Sequence, residues 1–378
     1  MYKYEIEEKT LHFKQPAGTS RGVYTERKVW YVRLSDGERE GVGECAPLPD
    51  LSCDAREDYR EVLEKMCEEF CQRQESQRGL SLMCSANSAH EGQSPCDSFE
   101  ALRSYPSMLF GLETALLDLK SQESGMLFDT AFSRGEAGIP INGLVWMGRY
   151  DEMLKRMEEK LEKGFRCVKL KIGAIDFDQE LDLVKRIRER FSFHEIQLRL
   201  DANGAFPYEE ALYKLELLSQ NAIHSIEQPI KQGQWAYMAE LCRESPLPIA
   251  LDEELIGVND PEMKAHMLHI IKPRYIILKP SLHGGMIGCR EWIAAAREQG
   301  IGSWITSALE SNIGLNAIAQ FASAVYGPHI SLPQGLGTGQ LFTDNIPLPI
   351  PLTIRGDSLY LDNKRSALPL GSSKNIRT

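Results

Sequence analysis

Through the middle of the chain, apolar and polar residues alternate in short runs, and each run ends on a charge. Cys167-Val168-Lys169-Leu170-Lys171-Ile172-Gly173 puts Val168, Leu170 and Ile172 on one face and Cys167, Lys169 and Lys171 on the other, which is the period of a strand. Ile196-Gln197-Leu198-Arg199-Leu200-Asp201 repeats the alternation and closes on a carboxylate. Ser225-Ile226-Glu227 and Pro248-Ile249-Ala250-Leu251-Asp252 do the same, and Tyr275-Ile276-Ile277-Leu278-Lys279 closes on an amine. The terminal charges stand at positions 171, 201, 227, 252 and 279, at intervals of 25 to 30 residues. Each interval has room for a loop, a helix and the next strand, so the series predicts βαβ units and a parallel sheet. One solvated charge at a strand end is ordinary. Five in phase, in the order Lys, Asp, Glu, Asp, Lys, predict a ring of functional groups at the C-terminal mouth of a (β/α) barrel.

The same patterning extends the barrel in both directions. A first strand is predicted in residues 139–146, a seventh in residues 301–307 and an eighth at His329-Ile330-Ser331-Leu332. The charged helix predicted at residues 151–163 stops at Gly164, a C-cap position, and its charges read as a solvated outer face. Before the barrel the pattern is antiparallel. Apolar runs at Leu11-His12-Phe13 and at residues 29–34 flank a loop at residues 15–22, and Asp36-Gly37 signals a hairpin. Helices are predicted at residues 55–72 and 107–121, with a loop of low order at residues 73–98. The expected fold class is α/β: a modified (β/α) TIM-type barrel over residues 135–345, with an N-terminal α+β capping domain over residues 1–130. Residues 346–378 are expected to form a tail that packs back on the capping domain, with strands at Leu352-Thr353-Ile354 and Leu359-Tyr360-Leu361.

At 378 residues the chain has room for both units. A hydrophobic content of 42% and a charged content of 26% are those of an ordinary globular protein. The formal net charge of −11 argues against nucleic acid and anionic membrane surfaces as main partners. A small anionic carboxylate substrate stays open, because local charge in a mouth can oppose the global sign. No apolar run reaches the length of about 18 residues that a membrane span needs. Met1-Tyr2-Lys3-Tyr4-Glu5-Ile6-Glu7-Glu8 lacks the apolar segment of a signal peptide. Nine cysteines, without a Cys-x-x-Cys pair, suit a reducing cytoplasm better than a disulfide framework or a zinc site. A cytoplasmic location is expected.

Three carboxylates with no neighbouring His or Cys suit a hard divalent cation, most simply Mg2+, with Mn2+ as a substitute. Such an ion keeps open positions for a substrate carboxylate. A lysine that is partly desolvated and near other cations has its pKa lowered, which lets it act as a base. Lys169 and the metal would do this to Lys171. Proton abstraction beside a carboxylate gives an ene-diolate, whose charge the metal stabilises. The competing possibility is a structural ion network in which the carboxylates merely pair with Lys169, Lys171 and Lys279, at considerable cost in desolvation.

Lys169-Leu170-Lys171, Asp201-Ala202-Asn203, Glu227-Gln228-Pro229, Asp252-Glu253 and Lys279 together resemble a known pattern. It is the Lys-x-Lys, Asp, Glu, Asp, Lys series of the muconate-lactonizing subgroup of the enolase superfamily. The resemblance covers nearly the whole chain. It implies a capping domain, metal ligands at Asp201, Glu227 and Asp252 with Glu253 a neighbour, and catalytic lysines at Lys171 and Lys279. Three further stretches resemble a dehydratase branch of that subgroup. They are Gly43-Glu44-Cys45-Ala46-Pro47-Leu48-Pro49, Ser307-Ala308-Leu309-Glu310-Ser311-Asn312-Ile313-Gly314 and Gly335-Leu336-Gly337-Thr338-Gly339-Gln340-Leu341-Phe342. Dipeptide epimerases of the subgroup usually carry Asp-x-Asp on strand eight to hold the substrate amine. Leu332-Pro333-Gln334-Gly335-Leu336-Gly337 has no acid there.

The implied reaction is the syn dehydration of 2-succinyl-6-hydroxy-2,4-cyclohexadiene-1-carboxylate in menaquinone biosynthesis. Lys171 would remove the proton beside the ring carboxylate and then assist departure of the hydroxyl, while Lys279 would face the ring from the other side as a cation. The resemblance also makes Lys169, Asn203, Ser307 and Arg21 candidates for supporting or substrate contacts, Arg21 through closure of the loop at residues 15–22 over the mouth. The alternatives are an N-acylamino acid racemase or dipeptide epimerase-like enzyme on the same barrel and, from another class, a non-catalytic barrel kept as a binding protein.

Other motifs lack the context they need. Gly18-Thr19-Ser20-Arg21-Gly22 matches Gly-x-Ser-x-Gly, but no strand-turn-helix pattern surrounds it. Residues 335–339 lack the third glycine of the dinucleotide fingerprint, where Gln340 stands, and no Walker lysine follows. His283-Gly284-Gly285 reads as turn chemistry, and His194 and His224 as satisfied or surface histidines.

Overall fold

The computed structural model of the chain describes residues 1–19, 22–84, 99–121, 125–146, 148–337 and 341–363. Strands β1 (Lys3–Thr19), β2 (Gly22–Ser35) and β3 (Glu40–Cys45) pair antiparallel in that order. Asp36 builds the predicted hairpin, its Oδ1 accepting from the N–H groups of Glu38 and Arg39 at 3.0 and 2.9 Å. Helices α1 (Tyr59–Cys84) and α2 (Pro106–Lys120) cover one face, burying Trp30, Val32, Leu34, Leu63 and Leu112. α2 lies directly on β3. A Cβ at Gly43 would stand 1.8 Å from the Gly111 carbonyl oxygen, so only glycine permits this approach.

α1 continues across residues 73–84, where the sequence reading placed a loop. Gln72-Arg73-Gln74-Glu75 contains no helix breaker, and Glu75 anchors the helix by accepting from the Tyr2 N–H at 2.9 Å. The rest of that predicted loop, residues 85–98, lies outside the described residues.

After the two-residue strand β4 (Ile139–Pro140) the chain enters the barrel. β5 (Gly143–Val145), β6 (Cys167–Lys171), β7 (Gln197–Asp201), β8 (Ser225–Glu227), β9 (Ile249–Leu251), β10 (Tyr275–Leu278) and β11 (Gly302–Ile305) form one parallel sheet in chain order. A helix follows each strand: α3 (Tyr150–Glu162), α4 (Phe177–Arg190), α5 (Tyr208–Ser219), α6 (Trp235–Glu244), α7 (Pro261–Ile271), α8 (Gly285–Glu298) and α9 (Asn312–Tyr326). Asp176, Asp260 and Ser311 cap α4, α7 and α9 by accepting a backbone N–H in the first turn. The alternation read from the sequence sorts the side chains. Val168, Leu170, Leu198, Leu200, Ile226 and Ile276 join the core that includes the helices, whereas Ala250, Ile277 and Trp304 form a separate small cluster. Among the described residues no helix is long and apolar enough to cross a membrane.

Closure of the barrel departs from the expectation. His329-Ile330-Ser331-Leu332 is irregular, and the closing segment is Gln334-Gly335. The Asn142 N–H donates to Gln334 O at 3.0 Å on one side, and the Gly335 N–H donates to Ile305 O at 2.9 Å on the other. Pro333 has no N–H for a longer ladder. Gly335 is needed where it stands, because a Cβ there would lie 2.0 Å from Thr306 Oγ1.

The first barrel strand is also shorter than predicted. Ile139 and Pro140 pair instead with the tail, whose hairpin β12 (Leu352–Arg355) and β13 (Ser358–Leu361) forms a small sheet in the order β12–β13–β4. The two tail strands therefore pair at the entry to the barrel, while Ile346 at the start of the tail packs against Leu11, Val29 and Tyr31 of the capping domain. Alternation shows that a segment is a strand, but the same pattern serves either partner. Residues 364–378 lie outside the described residues.

Candidate active site

In-register pairing brings the strand-end charges together. Lys171 is opposite Asp201 across β6 and β7, and Asp201 is opposite Glu227 across β7 and β8. Asp252 directly follows β9, and Lys279 directly follows β10. Because β6 and β10 are four places apart in the curled sheet, Lys171 and Lys279 stand on opposite sides of the mouth. Lys169 Nζ lies 3.0 Å from both Asp201 Oδ2 and Glu227 Oε2, and Lys171 Nζ lies 3.1 Å from the same Asp201 oxygen. Lys279 Nζ pairs with Asp252 Oδ2. Asn203 joins the set from the turn after β7. Its Oδ1 accepts from Lys171 Nζ at 2.7 Å, and its Nδ2 donates to Glu253 Oε1 at 3.0 Å.

The carboxylates are out of water: Asp201 and Asp252 are 0% exposed, and Glu227 is 2% exposed. Burial opposes the charge on Asp201, but Lys169, Lys171 and Lys279 outweigh it and hold the carboxyl well below its ordinary range. Asp252 is likewise lowered against its burial, chiefly by Lys279. Glu227 goes the other way. Burial, then the negative charge of Asp201, push it well above the usual carboxylate range despite Lys169. Burial and Asp252 raise Glu253. For Lys169 and Lys279, burial works against the ammonium, yet the facing carboxylates prevail and raise both. The lowering that desolvation would give a lysine is therefore reversed at these two positions.

Among the described residues no group of three or more His, Cys, Asp or Glu side chains forms a ready coordination sphere. Ammonium groups stand beside each carboxylate instead. The chemistry of the donors nevertheless fits a hard cation. Four buried carboxylates face three ammoniums, and Asp252 Oδ1 is buried with no hydrogen-bond partner among the described residues. Glu227 is destabilised as an anion in part by its own neighbour. Asp201, Glu227 and Asp252, on adjoining strand ends, are the residues that could hold such an ion.

A cavity of about 170 Å3 opens over the ring. Lys169, Lys171, Asp201, Asn203, Lys279 and Ser307 line it, whereas Glu227 and Asp252 lie outside its lining. Arg21 lies outside the described residues. The rest of the wall is largely apolar: Leu48 and Leu51 come from the capping domain, and Trp146, Leu309 and Leu341 from the barrel side. Sequence reasoning did not select these wall residues. Leu48 sits in the run Gly43-Glu44-Cys45-Ala46-Pro47-Leu48-Pro49, but nothing local shows that it reaches the mouth. Glu253, read only as a neighbour, also lines the cavity and holds Asn203. Asn203, Gln228 and Leu309 have φ of +45°, +40° and +64°, so backbone strain collects around this mouth.

Known proteins share both parts of this arrangement. Residues 152–340 match the family described as enolase C-terminal domain-like, and residues 2–89 match the MenC N-terminal domain. An o-succinylbenzoate synthase of Desulfotalea psychrophila is 48% identical over 348 residues, which cover 89% of this chain and 93% of that protein. The crystal structure of MenC from that organism matches with a TM-score of 0.79 at 41% identity, over 95% of this chain and 99% of that one. A hydrophobic dipeptide epimerase of Roseobacter litoralis is more distant, at 24% identity over 91% of this chain and 96% of its own. With capping domain and barrel both matched, the chain belongs to the o-succinylbenzoate synthase (MenC) family of the enolase superfamily.

Proposed function

We propose that this chain catalyses the Mg2+-dependent syn dehydration of 2-succinyl-6-hydroxy-2,4-cyclohexadiene-1-carboxylate to 2-succinylbenzoate, a step of menaquinone biosynthesis. One observation carries the reading. Lys171 and Lys279 face each other across a mouth of buried carboxylates, in a chain 48% identical to an o-succinylbenzoate synthase.

Asp201, Glu227 and Asp252 would hold Mg2+, which when bound would polarise the ring carboxylate and offset the charge of an ene-diolate. Lys171 removes the proton beside that carboxylate, and Asn203 at 2.7 Å and Asp201 at 3.1 Å define where its Nζ waits. The proton then passes from Lys171 to the hydroxyl on the same face, which leaves as water. The ring becomes aromatic, so this second step runs downhill. Lys279, kept cationic by Asp252, stabilises the anion from the opposite side. Leu48, Leu51, Trp146 and Leu309 give the ring an apolar wall. Lys169, Lys171 and Lys279 line the cavity while Glu227 and Asp252 lie behind it, which turns positive charge towards a small carboxylate substrate on a chain of net charge −11.

Opposed lysines also suit racemisation of an N-acylamino acid, with one lysine serving each face. The two readings separate in one assay. Loss of the diene absorbance on adding substrate with Mg2+, abolished by EDTA, is expected, and Lys171→Ala should lower turnover about 10²- to 10⁴-fold. No absorbance change, together with loss of optical rotation from N-acylamino acids, would transfer the assignment to the racemase. Full turnover in Lys171→Ala would remove that residue as the base.

A further inference from the structure

The turn after β10 holds Lys279 by both of its backbone groups. Its carbonyl accepts from the N–H groups of Leu282 and His283, at 2.8 and 2.9 Å. The imidazole of His283 then folds back, and its Nδ1 accepts the Lys279 N–H at 2.9 Å. An acceptor at Nδ1 requires the neutral tautomer with its proton on Nε2. The residue is 1% exposed, and an Nδ1 that accepts a backbone N–H carries no proton of its own.

The turn is also pinned from outside. Ser281 Oγ donates to Glu310 Oε1, and the Met286 N–H donates to Glu113 Oε2 at 2.6 Å. Gly288 packs so closely that a Cβ there would stand 2.5 Å from the His283 carbonyl oxygen.

We infer that His283 is a positioning residue for Lys279: its Nδ1 acceptor fixes the backbone from which the lysine reaches into the mouth. It lines no part of the cavity and holds Lys279 through that residue's backbone N–H. The inference rests on the dehydration proposed above and assigns the effect to turnover rather than to substrate binding. Displacing a catalytic group by about 1 Å costs on the order of 10²-fold in rate.

Three variants of the full chain test it. His283→Asn places a carbonyl oxygen near the Nδ1 position, His283→Gln places one nearer Nε2, and His283→Leu has no acceptor. The expected result is that the Asn variant keeps kcat within about threefold of wild type. The Gln and Leu variants should lose about 10- to 100-fold in kcat with KM nearly unchanged. A structural role alone would lower thermal midpoints without this ranking of kcat. Equal kcat among the variants, or a loss confined to KM, overturns the inference. Should the Leu variant fail to fold, the Asn and Gln pair decides by the same criterion. A silent wild type in the diene assay would instead fail the proposed function, whereas an active wild type with unranked variants fails only the role of His283.

Discussion

Glu44 and Ser311 meet where the capping domain touches the barrel: the Ser311 N–H, at the start of α9, donates to Glu44 Oε1 at 2.8 Å. Glu44 Oε2 also accepts from Ser311 Oγ at 2.5 Å and from the Gly314 N–H at 2.8 Å. The carboxylate is wholly buried and lies at the positive end of a helix dipole. It fastens the end of β3 to the segment that follows Ser307 and Leu309 at the cavity wall.

Glu44→Ala leaves three buried donors without this acceptor. We predict a loss of about 2–4 kcal/mol, seen as a lower urea midpoint, and a smaller loss for Glu44→Gln, which keeps one acceptor oxygen. An unchanged midpoint in the Ala variant would dismiss the contact as a stabiliser.

A second buried acid makes a similar link. Glu113 on α2 accepts from the N–H groups of Met286 and Ile287 at 2.6 and 2.9 Å. Burial pushes its carboxyl from the ordinary 4.5 up to about 8, against those two donors. Because the folded state holds this proton more tightly than the unfolded chain, the stabilisation is complete below about pH 4.5 and is lost as pH rises towards 8. Glu113→Gln cannot ionise, so its thermal midpoint relative to wild type should rise across that window. Parallel curves for the two proteins would refute the assignment.

Asn203 is the expected guide for Lys171. Asn203→Asp tolerates the positive φ and keeps an acceptor for the lysine, but it loses the donor to Glu253 and sets two carboxylates together. Turnover should fall about tenfold or more while the thermal midpoint changes little. Wild-type kcat would show that the contact at Lys171 is dispensable.

Mg2+ binding to the folded protein should raise its thermal midpoint, with EDTA reversing the shift. At one hundred times its dissociation constant the ion would add about 2.7 kcal/mol. Asp252→Asn should remove most of that gain. Absence of any shift in the wild type would favour a site held together by Lys169, Lys171 and Lys279 alone.

Much of this site was legible because its signals are local. In a strand, successive side chains leave on opposite faces, so the alternation around Val168 and Leu170 already assigned Lys169 and Lys171 to the inner surface. Charges that end successive βα units must gather at one mouth once the strands run parallel, which placed Lys171, Asp201, Glu227, Asp252 and Lys279 together. Pairing partners and contacts distant in sequence carry no such local signature. Only the tertiary structure decided that Gln334-Gly335 closes the ring, that Ile139-Pro140 pairs with β13, and that Leu48 and Leu51 cross from the capping domain to wall the cavity. His283 shows the same division within five residues. Gly284 and Gly285 announced a turn, but which way the imidazole faced was settled by the packing that buries it against Lys279.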